Sequence, residues 1–375
     1  MSNDSILLKP ISLGEIELPN RIIMASMTRA RTENAGLVPI PLQAKYYSQR
    51  ASAGLILTEG TWPNKEAIGA INVPGLFNRE QAEGWKRVTE AVHEAGGRIA
   101  VQLGHIGAAS HPDLLEGEQP VGPSEISMNC DAFTPEGPKP VPVPRAMTIG
   151  DIHRTVEDYA RATQLAREAG FDGIELHGIA GFLVPQFLSE RTNQRSDAYG
   201  GSIENRARFP LEILEAMVSQ WSAGRVGMKL SPGISVGTIV PTAETLPTYE
   251  HLVSRISDMR LAWLQFLNPV TDLLGPPVDL TDTPVAALQH GSPAHFRRFF
   301  TGAIIANGSL TQEKAEAVIN AGDADAAAFG ALYLSNPDLV ERFEQGLALA
   351  PIPSKDTWYA GGETGYADYP RASQA

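Results

Sequence analysis

Short, continuously apolar runs alternate with longer stretches of helical period along most of the chain. Runs at 21–25, 54–58, 98–103, 173–176, 226–230, 261–267, 302–306 and 324–329 predict eight strands. Amphipathic stretches near 41–51, 79–94, 151–169, 203–220, 243–258, 294–300, 312–321 and 337–345 predict eight helices. Strands that are apolar throughout, rather than at alternate positions, are buried on both faces, which means a parallel sheet. Eight such α/β units close most naturally into a (β/α)8 TIM barrel. An open doubly wound sheet is the alternative, but no G-x-G-x-x-G follows the first strand.

Three segments fall outside the repeat. Residues 6–20 alternate apolar and polar around Gly14 and predict an N-terminal β-hairpin. Residues 104–150 form a long, proline-rich loop after strand 3, of the kind that serves as a lid or pocket wall. Residues 351–375 are a C-terminal segment. The expected organisation is a single TIM-barrel domain over 1–375.

A barrel places its chemistry at the C-terminal ends of its strands. The residues there are Thr28, Glu59, Gly60, Gln102, His177, Lys229, Asn307, Gly308 and Gly330. Thr28, Gln102 and His177 are neutral donors and acceptors that suit a planar heterocycle or a carbonyl. Lys229 suits an anionic ring edge. Gly308 and Gly330 follow strands 7 and 8, the usual phosphate corner. Each has a plainer reading: a satisfied structural histidine, a solvated lysine, strand-end polar groups.

Composition narrows the function classes. A net charge of -13 argues against nucleic-acid binding. No apolar run approaches the ~18 residues of a membrane span, and the first residues lack the pattern of a secretory signal. The single cysteine, Cys130, excludes an internal disulfide framework and suits a cytoplasmic setting. The histidines show no ligand spacing, so no metal is expected.

Several strings together resemble the old yellow enzyme family of NADH/NADPH:flavin oxidoreductases, FMN-dependent ene reductases. They are NRIIMASMTR at 20–29, YYSQRASAGLILTEG at 46–60, VQLGH at 101–105, the stretch 171–209, KLSP at 229–232, ANG at 306–308, AFG at 328–330, SNPDL at 335–339 and WYAGGETGYADYP at 358–370. They span the chain in the family's order. The resemblance implies FMN, reduced by NADPH or NADH, passing hydride to the β-carbon of an activated alkene. Carried over by position, Met27 and Thr28 face the flavin N5/O4 edge, and Gly60 and Gln102 the pyrimidine side. Lys229 faces the N1/O2 region, and Gly308, Ser309, Gly330 and Ala331 the phosphate. His177 grips the substrate carbonyl and Tyr359 lines the pocket or supplies a proton.

Four positions depart from the family pattern. Ala180 stands where a second carbonyl donor is usual, Phe182 where a tyrosine supplies a proton, Gly104 where a tryptophan is usual, and Ala331 where an arginine holds the phosphate. The substrate-pocket residues are therefore Gly104, Ala180, Phe182 and Tyr359. Two of the changes remove volume, which implies a bulky α,β-unsaturated carbonyl or related conjugated substrate. The lost donor and phenol leave dehydrogenation, redox-neutral isomerisation or cyclisation, or weak or no FMN binding as alternatives. The expected partner is a small molecule, with the chain a monomer or homodimer.

Overall fold

The computed structural model describes residues 4–179, 181–269, 279–359 and 361–372. A hairpin comes first, β1 (Ile11–Leu13) and β2 (Ile16–Leu18), turning at Gly14. Strands β3 (Ile22–Met24), β4 (Leu55–Thr61) and β5 (Ile99–Leu103) follow, separated by α1 (Pro41–Ser48) and α2 (Arg79–Glu94). The segment after β5 contains β6 (Val121–Gly122), the hairpin β7 (Asp131–Thr134) and β8 (Gly137–Pro140), and β9 (Arg145–Ala146). Then come α3 (Ile149–Glu168), β10 (Gly173–Gly178), α4 (Leu183–Leu188), α5 (Ile203–Gln220), β11 (Val226–Leu230), α6 (Thr245–Met259) and β12 (Trp263–Leu267). Last are α7 (Ser292–Phe296), β13 (Ala303–Asn307), α8 (Gln312–Asn320), β14 (Ala326–Phe329), α9 (Ala331–Ser335) and α10 (Leu339–Gln345).

The eight expected strands form one closed parallel barrel, in the order β10, β11, β12, β13, β14, β3, β4, β5. Closure runs through β14 and β3, with Ala327 opposite Ile22. The doubly wound alternative is thereby set aside. The strands bury every residue or nearly so, as continuous apolarity requires. The N-terminal hairpin closes one end: Leu13, Ile16 and Leu18 pack with Ile23, Leu55, Leu57, Ala100 and Trp263 from the barrel interior. Gly14 makes this approach possible. Its φ is 59°, and a Cβ there would lie 2.5 Å from the Gly224 carbonyl oxygen.

The segment 104–150 is more ordered than its composition indicates. β6 and β9 pair in parallel, β7 and β8 pair antiparallel, and Ala108, Ala109, Met128, Ala132 and Val141 bury a small apolar cluster of their own. A bridge between Ala70 and Phe133 ties this segment to the loop after β4.

Inside the barrel, the indole of Trp263 lies where a side chain at position 227 would be. A Cβ on Gly227 would come within 2.1 Å of Trp263 Cε2. Both residues are held in paired strands, Gly227 opposite Trp263, so neither can yield easily. Gly227→Ala is expected to destabilise the fold by about 1–3 kcal/mol, the usual cost of overpacking, read as a lowered urea midpoint at unchanged m-value.

Candidate functional site

The mouth formed by the C-terminal strand ends holds a buried polar layer. Glu175 on β10 is fully buried. Gln102 Nε2 donates to Glu175 Oε1 at 2.7 Å, and Trp263 Nε1 donates to its Oε2 at 2.8 Å. Ser26 donates in turn to Gln102 Oε1 at 2.5 Å. Strand register builds this layer, since Glu175 lies opposite Gln102, and His177 opposite Lys229. Burial raises the Glu175 pKa, and the positive charge of Lys229 works against that rise.

Lys229 is only 4% exposed, yet it makes neither a hydrogen bond nor a salt bridge among the described residues. His177 is 8% exposed, and its Nδ1 is buried without a partner. Burial, reinforced by the Lys229 charge, depresses the His177 pKa to about 3. The imidazole is therefore neutral near pH 7, with one N–H to donate. Its ring stacks on Phe182, centroids 3.7 Å apart and planes 23° apart. A Cβ on Gly60 would meet Gln102 Oε1 and His177 Cδ2 at 3.9 Å, so this face is open.

A second buried constellation holds the exit of β3. Glu59 Oε2 accepts the backbone N–H groups of Arg29 and Ala30, each at 3.1 Å. This fixes the turn that carries Met27, half-buried, and Thr28, exposed. The Arg29 and Arg31 guanidiniums reach across to the C-terminal segment. Arg29 donates to the carbonyls of Trp358 and Gly365, and Arg31 to those of Thr357, Trp358 and Gly362. The segment bearing Tyr359 is thus tied to the β3 exit. Tyr359 itself is 55% exposed, edge-on to Trp358.

Six of the sequence-selected residues meet at this mouth: Gly60, Gln102, Gly104, His177, Phe182 and Lys229 form one contiguous group. The Met27 sulfur is the nearest atom to a Cβ placed on Gly330, at 3.5 Å. On the far side, Asn307 is tied to β14 through its Nδ2, which donates to the Ala328 carbonyl at 2.9 Å. Gly308 and Ser309 both turn with positive φ, and Ala331 begins α9. Ala180 lies outside the described residues. The space beside Gly104 is occupied, because a Cβ there would sit 2.9 Å from Phe182 Cε1. Sequence reasoning did not single out Glu175, Arg29 or Arg31. An acid in the middle of an apolar strand was the available signal for Glu175; the arginine contacts span more than 300 residues and leave none.

The chain matches the NADH:flavin oxidoreductase / NADH oxidase family over residues 6–350. It belongs to that family. It is 40% identical to morphinone reductase, whose structure superposes with a TM-score of 0.91 over 99% of this chain and 97% of that one. The old yellow enzyme homologue of Zymomonas mobilis is 35% identical, with a TM-score of 0.90 over 97% of this chain and 99% of that one. A probable flavin mononucleotide-dependent alkene reductase of Leishmania infantum is 36% identical over 97% of both chains. The chain is a flavin-dependent oxidoreductase of the old yellow enzyme type, an ene reductase using FMN and a nicotinamide reductant. The mouth fits such a cofactor: among the described residues His177 Nδ1 is buried without a hydrogen-bond partner, Lys229 is nearly buried and makes no hydrogen bond, and Gly60 and Gly330 present no side chain. Among the described residues, no helix is long and apolar enough to cross a membrane.

Two buried histidines make stability depend on acid. His105, whose Nδ1 accepts the Gly107 N–H at 3.0 Å, is also depressed to about 3, by burial. Unfolded, each titrates near 6.5. Between those values the unfolded chain binds more protons, so stability falls as pH falls. Each histidine should contribute a slope of about 1.4 kcal/mol per pH unit. His105→Asn keeps an acceptor for Gly107 and should flatten the slope by about that amount between pH 5.5 and 4, measured by urea unfolding. The raised pKa values of Glu59 and Glu175 act in the opposite sense but are common to both proteins and cancel.

Proposed function

We propose that the chain reduces the C=C bond of an α,β-unsaturated carbonyl whose oxygen is held by His177. The single observation carrying this reading is the neutral, nearly buried His177, stacked on Phe182 and beside a nearly buried Lys229 that makes no hydrogen bond among the described residues. A neutral N–H donor in a dry site next to a fixed positive charge suits a developing enolate oxygen. Bound FMN supplies the hydride. Met27 and Thr28 would border its reactive edge, Gly60 and Gln102 its pyrimidine side, and Lys229 its N1/O2 region. The backbone at Gly308, Ser309, Gly330 and Ala331 would take the phosphate.

The substrate in this reading is bulky and apolar. Gly104 does not supply its room, since Phe182 fills that space. Support comes instead from part-exposed apolar side chains, Ile68, Ala70 and Ile106, that pack against the same small cluster as Phe182, with the exposed Phe133 bridged to Ala70. Phe182 has no transferable proton, so the proton on the α-carbon would come from Tyr359 or water. We place the enzyme in the cytoplasm, as one domain, monomeric or homodimeric, on its single cysteine and its acidic charge.

Purified protein should retain a flavin spectrum after desalting and bleach anaerobically with NADH or NADPH; a bulky enone should restore the colour faster than cyclohexenone does. A colourless protein that takes up no FMN would overturn the reading, and a preference for small enones would overturn the bulky-substrate part of it. His177→Ala should lower kcat/KM for enones by about 10²–10³, the usual loss for one oxyanion donor. Without an arginine at 331 the phosphate rests on backbone groups. Ala331→Arg should tighten FMN by about tenfold to a hundredfold, the equivalent of about 1.5–3 kcal/mol for a charge-assisted hydrogen bond. Flavin fluorescence titration of the apoprotein would measure it.

A further inference from the structure

Resting on the ene-reductase reading, we propose that Phe182 positions the His177 imidazole for the substrate carbonyl, and that the bare backbone at Gly104 is what admits its ring. A histidine that must present one nitrogen to a ligand is usually oriented by a hydrogen bond at the other. Among the described residues no other residue makes such a bond to His177, and its Nδ1 is buried without a hydrogen-bond partner. The contact that remains to orient the ring is the stack on Phe182, centroids 3.7 Å apart.

The backbone is built to hold that stack. Gly181, with φ at 80°, turns the chain so that Phe182 comes back over the mouth and caps α4. The Leu183 N–H donates to the His105 carbonyl at 2.8 Å, docking the start of α4 beside Gly104. The Gln186 side chain bridges the same two segments. Its Nε2 donates to the carbonyls of Gly181 and Ile106, and its Oε1 accepts the Ala108 N–H. Phe182 packs against the small buried cluster of Ala30, Trp62, Ala67 and Val73. In this frame a Cβ at position 104 would lie 2.9 Å from Phe182 Cε1 and 3.2 Å from His177 Cβ, so any side chain there displaces the ring or the imidazole.

The test compares wild type, Phe182→Leu, Phe182→Tyr, Gly104→Ala and the Gly104→Ala/Phe182→Leu double variant as FMN-loaded proteins without reductant. Cyclohexenone affinity is read by flavin difference absorbance, and the His177 ring protons by NMR of histidine-labelled protein. The stack should shift the His177 ring protons upfield in wild type and Phe182→Tyr, and not in Phe182→Leu. Phe182→Leu should weaken cyclohexenone about tenfold with FMN still bound, and Phe182→Tyr should bind as wild type does. Gly104→Ala should weaken binding by itself but add little to Phe182→Leu, because the atom it strikes is gone. Wild type and Phe182→Leu binding the enone equally, or a wild-type His177 without the upfield shift, would overturn the proposal and leave the reductase reading intact. A wild type that binds neither cyclohexenone nor a bulkier enone would overturn both.

Discussion

A carboxylate with no exposed surface sits near the centre of the barrel mouth, and the candidate site is arranged around it. Glu175 points inward because it shares a strand face with Gly173 and His177. A buried charge is costly unless it is paired and hydrogen-bonded. Here the Gln102 amide and the Trp263 indole supply the hydrogen bonds, and Lys229 supplies the opposing charge. The consequences spread outward. Donating through Nε2 leaves Gln102 Oε1 to accept from Ser26, so the orientation of the amide is set from below. The Trp263 ring is held flat across Gly227. Lys229 stays beside His177, where its charge adds to the burial that keeps that imidazole neutral.

The second constraint lies at the β3 exit. Three guanidiniums, those of Arg29, Arg31 and Arg50, are almost fully buried. Carboxylates are scarce around them, and backbone carbonyls accept most of their hydrogen bonds. Tyr46 and Tyr366, stacked with centroids 3.9 Å apart, offer their faces to the cations. Arginine suits this because its forked donors reach several carbonyls at once, which lysine cannot do. One cluster thereby joins the β3 exit near Met27 and Thr28 to a segment more than 300 residues later.

The barrel was legible because eight strands buried on both faces leave an unmistakable apolar period. Its edges were less so. β4 runs on to Thr61 through Thr58 and Glu59, polar residues that ended the apolar run. They can lie in a buried strand because Thr58 Oγ1 accepts the Gln102 N–H and Glu59 accepts from Arg29 and Ala30. His177, expected at a strand exit, lies within β10, since pairing with β11 continues to Gly178. The helices α4 and α9 are five or six residues long, too short to show a period. In the site, family strings located the rim residues. They could not reveal that Phe182 fills the space beside Gly104, because that contact depends on how two loops fold against each other.

Those two departures make physical sense only as a pair. A glycine at 104 alone would leave a void against His177, and a void lining loses its packing contacts. A phenylalanine at 182 alone would collide with any side chain at 104. Together they exchange one aromatic wall for another, built from a different strand exit, while the histidine keeps a face to lean on. What changes is the chemistry of that wall: a phenyl ring neither donates nor gives up a proton. In the proposed reading, the burden of stabilising negative charge on a substrate oxygen would then fall on one neutral imidazole and on the field of Lys229. An ammonium in a site that excludes water acts over several ångströms with little screening. Fixed charge can therefore replace part of what a second hydrogen bond would provide; burial lowers the Lys229 pKa, and Glu175 beneath it works against that loss of charge.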